Sequence, residues 1–234
     1  MLRLLLLITT LSAPCTICHG QNCWQSTKQE VRSDTVTMWA AVRHAPHAMV
    51  ELDNLKWETP VAAATGVLIG VGDTRVAHQV SNSPSLNRRS DTASTLITDS
   101  MLGASAVTYL VGCLGWRQHA LSPGLSALTA TGFAVLSSGV LKLSTNRQRP
   151  GAAGSTGEFW EGGNSFPSGH TTAAWTIASS LAHSYPRHRW VKWSACTAAV
   201  AIGVLRITAH KHYPSDVMIG GTLGYVVGEQ INRP

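Results

Sequence analysis

The sequence predicts an all-α protein, a bundle of about six helices. Three observations carry this. From Ala93 onward the apolar residues recur in long helical stretches, strand signals are nearly absent, and no Asn-Gly or Asp-Gly hairpin or internal repeat occurs. The chain has 234 residues, enough for one sizeable domain, and only 13% are charged, about half the usual share of about 25%. Low charge points to a buried bundle or a membrane protein, whereas a mean hydropathy of +0.06 is modest for several membrane spans.

In chain order, residues 1–20 read as an export signal, with Arg3 as the positive start and Leu4 to Ala13 as an apolar run too short to span a bilayer. Cleavage before Gln21 would leave Cys23, Cys113 and Cys196 in the mature chain, an odd number, with Cys113 and Cys196 placed as small core residues. Residues 21–59 form a polar lead-in with a short helix at Thr35 to Arg43, and residues 60–234 form the helical domain. Within it, Pro60 to Gly72 is a small-apolar segment, and Val76 to Thr92 is polar, with a loop at Asn82, Ser83, Pro84 and Ser85. Helices are expected at Ala93 to Trp116, His119 to Leu141, His170 to Tyr185, Trp190 to Arg206 and Pro214 to Gln230. Gly151 to Phe166 is a Gly/Ser-rich loop, read either as a mobile lid using Phe159 and Trp160 or as a plain connection.

The net charge of +6 favours anionic partners: phosphorylated substrates or anionic lipid head groups. Nucleic acid is disfavoured, because no Lys/Arg run interleaves with aromatics. No cysteine spacing suits a metal, and no cofactor is called for.

Chemistry concentrates between Lys142 and Asp216. Lys142 and Arg149 lie seven residues apart, which on a continuous helix ended by Pro150 places both on one face, about 10 Å apart along the axis. A basic last helical turn is the plainer explanation. Pro167-Ser168-Gly169-His170 sits where a loop becomes a helix. Free N–H groups there suit a phosphate, Gly169 admits it closely, and His170 would face it as a proton donor. Alone, this is also an ordinary cap with Ser168 at the N-cap. Arg206, His212 and Asp216 complete the set, with Pro214 opening the last helix. A carboxylate at Asp216 would accept the N–H of His212 and leave the other ring nitrogen as a nucleophile. His210 competes for that role but lacks a carboxylate at the matching offset.

Taken together the three clusters resemble the type 2 phosphatidic acid phosphatase superfamily, whose pattern is Lys-x6-Arg-Pro, Pro-Ser-Gly-His and Ser-Arg-x5-His-x3-Asp. Lys142 to Pro150, Pro167 to His170 and Arg206 to Asp216 match at family spacing; Leu205 departs, standing where the family has Ser. The resemblance implies a metal-independent phosphatase with the active site at helix ends. Lys142, Arg149, Ser168, Gly169 and Arg206 would bind phosphate, His212 would be the nucleophile, His170 the acid and base, and Asp216 the orienting group. Together with the export signal at residues 1–20, this gives an enzyme expected outside the cytoplasm, periplasmic or otherwise, membrane-associated or integral to the membrane, acting on phosphomonoesters or diphosphates and above all on lipid phosphates. Alternatives are a soluble broad-specificity acid phosphatase, a vanadium-dependent haloperoxidase, or a catalytically silent scaffold.

Overall fold

The computed structural model describes residues 52–80, 83–113 and 121–232. The expected signal, the Thr35 to Arg43 helix and Cys23 lie outside them. The described residues form helices and no strand. Helix α1 (Leu52–Val67) continues through a π-helical turn (Leu68–Gly72) into α2 (Asp73–Gln79). Then follow α3 (Pro84–Cys113), α4 (Leu121–Thr145), α5 (Gly169–Ser184), α6 (Arg189–Thr208) and α7 (Pro214–Asn232). Counting α1 to α2 as one rod, the described residues hold six, in keeping with the expected all-α bundle.

Two boundaries differ from expectation, and both matter for the site. Helix α3 begins at Pro84, nine residues before Ala93. Proline suits a first turn, so the Ser83-Pro84 pair starts this helix, and Asp91, Ser94 and Thr95 ride on it. Helix α4 stops at Thr145, so Arg149 is not helical. Asn146 takes a left-handed φ of 41°, and its side-chain amide donates to the Leu143 carbonyl at 2.9 Å. The loop satisfies the neighbouring carbonyls in place of further helix: Trp160 N–H donates to Thr145 at 2.8 Å and Gly163 N–H to Asn146 at 2.8 Å.

Helix α5 runs through the middle, touching α3, α4, α6 and α7. Its core contacts are small. Ala174 and Ala178 meet Ala195, Ala199 and Ile202 of α6, with half-buried Cys196 alongside. Val227 and Ile231 of α7 meet Ala130 and Ala134 of α4. The closest approach is α5 on α7, through Gly220, Gly224 and Gly228 at helical spacing. A Cβ on Gly220 would stand 2.6 Å from the Ser168 carbonyl oxygen, and one on Gly224 would overlap the Thr172 carbonyl.

Buried hydroxyls explain the modest hydropathy. Thr172 and Thr176 donate to the carbonyls one turn back, Ser168 at 2.9 Å and Thr172 at 2.8 Å. Ser105 and Thr131 do the same on α3 and α4. These side chains are buried without unmet polar atoms. Bulky apolar groups face outward instead: Leu96 and Val107 on α3, Val140 and Leu143 on α4, Val200 and Val204 on α6.

Substituting Gly224→Ala is expected to cost about 1–3 kcal/mol, because backbone on backbone cannot yield. Gly103→Ala, where an added methyl meets nothing within 4 Å, should be neutral or stabilising by up to about 1 kcal/mol. Thermal melts of the two variants in one detergent would compare them.

Candidate active site

The chain reversal of the bundle gathers four helix ends. The C-terminal turns of α4 and α6 bring Lys142 and Arg206, and the N-terminal turns of α5 and α7 bring His170 and Asp216. Ser168 N–H donates to the Asp216 carbonyl at 3.0 Å, which fixes the two helix starts side by side.

Lys142 lies beside Gly169: a Cβ on that glycine would sit 3.8 Å from Lys142 Cε and 3.9 Å from Ser138 Oγ. That is ordinary spacing, so the missing methyl leaves room against the free N–H groups of α5. Lys142 Nζ donates to the Asn164 carbonyl at 3.0 Å and also to that of Pro167, pinning the loop before α5. Arg149 reaches the same region from the non-helical stretch after Asn146, close enough to Lys142 and Arg206 to repel both. The Nε atoms of Arg149 and Arg206 are buried and without a partner among the described residues. Two buried guanidinium N–H groups without acceptors mark where an anion fits.

Ser168 occupies the N-cap position of α5 with no side-chain cap bond; its hydroxyl is fully buried and pairs with that of Thr171 at 2.9 Å. His170 is half-buried, with Nε2 at 3.4 Å from Thr95 Oγ1 on α3. Burial and then the Arg206 and Lys142 charges lower its pKa to about 4.

The turn after α6 sets His212. His210 takes a left-handed φ of 52° and reverses the chain there, and its carbonyl accepts from Gly151 N–H at 3.0 Å. Its ring Nε2 has no partner among the described residues, and the residue borders a separate cavity of about 490 Å³ with His78, Pro150 and Tyr213. His212 is buried, and Nδ1 lies 2.7 Å from the Ser165 carbonyl. A carbonyl only accepts, so Nδ1 carries the hydrogen and Nε2 keeps the lone pair. Asp216 Oδ2 stands 3.7 Å from Nδ1, beyond hydrogen-bond length. The carbonyl of Ser165 thus does what the sequence assigned to the carboxylate, and Asp216 adds its charge from behind. Burial, and then the Lys142 and Arg206 charges against the opposing Asp216, lower the His212 pKa to about 4.

Several participants were not singled out from the sequence. Asp91 on α3 binds Arg206 Nη1 at 2.5 Å and Lys211 Nζ at 3.3 Å, and Ser94 Oγ lies 3.2 Å from the same Nη1. Burial pushes the Asp91 carboxyl up, and Arg206 and Lys211 more than reverse this. Arg147 joins Asp216 and Asp73, each at 2.6 Å. Ser138 Oγ is buried without a partner among the described residues and lies toward Gly169. The unpaired look of Arg147, between Asn146 and Arg149 with no nearby carboxylate in sequence, was the available signal. In the loop of residues 151–166, Phe159 covers Arg147, its ring centroid 4.7 Å from Cζ, and the exposed Trp160 donates its indole N–H to the Ser144 carbonyl at 3.0 Å.

The PAP2 superfamily pattern matches residues 123–231. A lipid A 1-phosphatase of Porphyromonas gingivalis is 25% identical over 228 residues, covering 97% of this chain and 48% of that protein. One from Rhizobium etli is 34% identical over 108 residues, covering 43% and 45%. The chain thus spans about half the length of these curated relatives. Among solved structures, a transmembrane PAP2 type phosphatidylglycerolphosphate phosphatase from Bacillus subtilis is 23% identical with a TM-score of 0.49, covering 85% of this chain and 93% of that one. Residues 123–231, which hold Lys142, Arg149, His170, Arg206, His212 and Asp216 together, thus carry the PAP2 superfamily pattern.

Proposed function

We propose that this protein is a phosphatase that hydrolyses phosphomonoesters or diphosphates of lipids through a phosphohistidine on His212. The observation that carries the reading is a buried imidazole with Nδ1 committed to the Ser165 carbonyl and a nucleophilic Nε2, set among three cations of which two have unpartnered N–H groups. Lys142, Arg149, Arg206 and the first N–H groups of α5 hold the phosphoryl oxygens and take up the charge that develops on them. Nε2 forms the P–N bond as the P–O bond to the leaving group breaks, and His170 protonates the departing oxygen. Water then attacks phosphorus, His170 takes its proton, and His212 is released. The Ser165 carbonyl and Asp216 stabilise the positive imidazole ring of the intermediate.

The low proton affinity of His170 fits this sequence of events. Burial, and then the Arg206 and Lys142 charges, keep it neutral at pH 7. A phosphate dianion between those cations cancels their field, and the ring gains its proton as substrate arrives.

Lipid substrates and membrane residence are supported by the outward apolar side chains and by two helices long and apolar enough to cross a bilayer, Pro123–Thr145 and Arg189–Thr208. Exposed Trp190 and Trp193 stand beside Arg189 and Lys192 at the end of α6 opposite Arg206, a composition suited to a membrane interface. Both curated relatives are named for lipid A, so a lipid 1-phosphate of that kind is the first substrate to try. We also place the protein outside the cytoplasm, with residues 1–20 as its leader and residues 60–234 as its phosphatase domain.

His212→Ala is expected to abolish phosphate release, and acid-quenched labelling should trap phosphate on His212 of the parent enzyme. Label on His210, or an active His212→Ala, would refute the nucleophile; turnover only of halide with vanadate and peroxide would favour a haloperoxidase. In NMR titrations of histidine-labelled protein, saturating phosphate should raise the His170 pKa from about 4 towards the ordinary imidazole range; an unchanged value would remove it as the acid. Carbonate washing should leave the protein in the membrane pellet, and its release would support a soluble acid phosphatase instead.

A further inference from the structure

The site just described accounts for Asp216 but not for what stands behind it. Arg147 is 2% exposed and sits between two carboxylates that are buried as completely, Asp73 and Asp216. Its Nη1 donates to Asp216 Oδ1 at 2.6 Å and to Ser215 Oγ at 2.7 Å, its Nη2 to Asp73 Oδ2 at 2.6 Å, and its Nε to the Gly157 carbonyl at 3.0 Å. The rings of Phe159 and Tyr213 cover the guanidinium at 4.7 and 4.4 Å. Asp73 is held in turn by Ser215, through its N–H at 3.0 Å and its hydroxyl.

The second link runs through the backbone. The Arg147 carbonyl accepts from Ser165 N–H at 2.9 Å. Ser165 then presents its carbonyl to His212 Nδ1 and its hydroxyl to Asp216 Oδ2, which also accepts from Tyr213 N–H at 2.8 Å. Both acceptors facing His212 Nδ1, the Ser165 carbonyl and the Asp216 carboxylate, are therefore held by one residue. Arg147 fixes the first through its main chain and the second through its side chain. An ion pair buried this deeply is costly to desolvate and is weak support for stability alone. Its geometry instead fixes the position of Asp216 to within a hydrogen bond on each oxygen.

We infer that Arg147 and Asp73 are positioning residues for phosphoryl transfer, a carboxylate–guanidinium clamp that sets Asp216 and Ser165 behind the His212 nucleophile. Asp73 anchors the guanidinium from α2, and Arg147 passes that placement to the ring. Neither residue touches the phosphate, so the clamp acts on the attack step and leaves substrate binding alone. The inference rests on the proposed nucleophilic role of His212.

The test uses the full chain in detergent micelles, with Asp73→Asn, Arg147→Lys and His212→Ala compared on p-nitrophenyl phosphate. Asp73→Asn keeps the shape and removes one charge of the clamp. It is expected to lower kcat about 10- to 100-fold, the scale of a small misplacement of a reacting group, while KM and the affinity for inorganic phosphate stay within about twofold. Arg147→Lys retains the charge without the fork and should lose at least as much. Acid-quench rates of His212 labelling should fall in the same proportion as kcat. An unchanged kcat in Asp73→Asn, or matched losses of kcat, phosphate affinity and melting temperature, would overturn the clamp. Should Arg147→Lys fail to fold, the Asp73→Asn result decides. An active His212→Ala would instead bring down the nucleophile assignment itself, a result distinct from a dead His212→Ala beside a fully active Asp73→Asn.

Discussion

The contact of α5 with α7 is the constraint on which the site depends. Three glycines one turn apart, Gly220, Gly224 and Gly228, let the α7 backbone approach Ser168, Thr172 and Thr176 of α5 more closely than any side chain would allow. That approach brings Ser168 N–H onto the Asp216 carbonyl, so two helix N-termini open on the same space. Their partial positive ends add to the cationic side chains around it. Small hydroxyl residues make this packing feasible, because each spends its proton on its own helix and demands nothing of its neighbour. The bulk of the apolar side chains is left on the outside.

Around that axis the charges are layered. Lys142, Arg149 and Arg206 face the proposed phosphate site, and carboxylates stand behind them. Asp91 orients Arg206 from α3, and Asp216 and Asp73 share Arg147. His212, the proposed nucleophile, lies between the layers, neutral through burial, with its tautomer set by a main-chain carbonyl. A carbonyl is well suited to this, since it cannot donate and so cannot invert the ring's preference.

The helical class, most helix positions and the three motif clusters were legible in the sequence because each rests on local patterns: apolar period, proline and glycine placement, and fixed residue spacing. What was not legible is instructive. The start of α3 was missed because its first turns are polar, and polarity without an apolar stripe reads as loop, although Pro84 marked the true start. The end of α4 was placed too late, because the Lys142 to Arg149 spacing suits a helix as well as the turn that is present. Arg147 has no carboxylate close to it in the sequence. Its partners are 74 and 69 residues away, and Asp91 lies 115 residues from Arg206, separations that leave no periodic trace. The orienting contact to His212 went to a backbone carbonyl, and backbone groups carry no identity in a sequence.

Asp73 and Asp91 both precede residue 123, where the recognisable pattern of the family begins. Cut at that point, the remaining piece would retain every motif residue yet strand Arg147 with half its counter-charge and Arg206 with none from α3. A guanidinium buried on those terms draws in water or disrupts the packing around it. The smallest portion that can be exchanged between proteins, expressed alone or grafted into a chimera with its chemistry intact therefore runs from α2 to α7, about fifty residues more than the motifs alone would mark out.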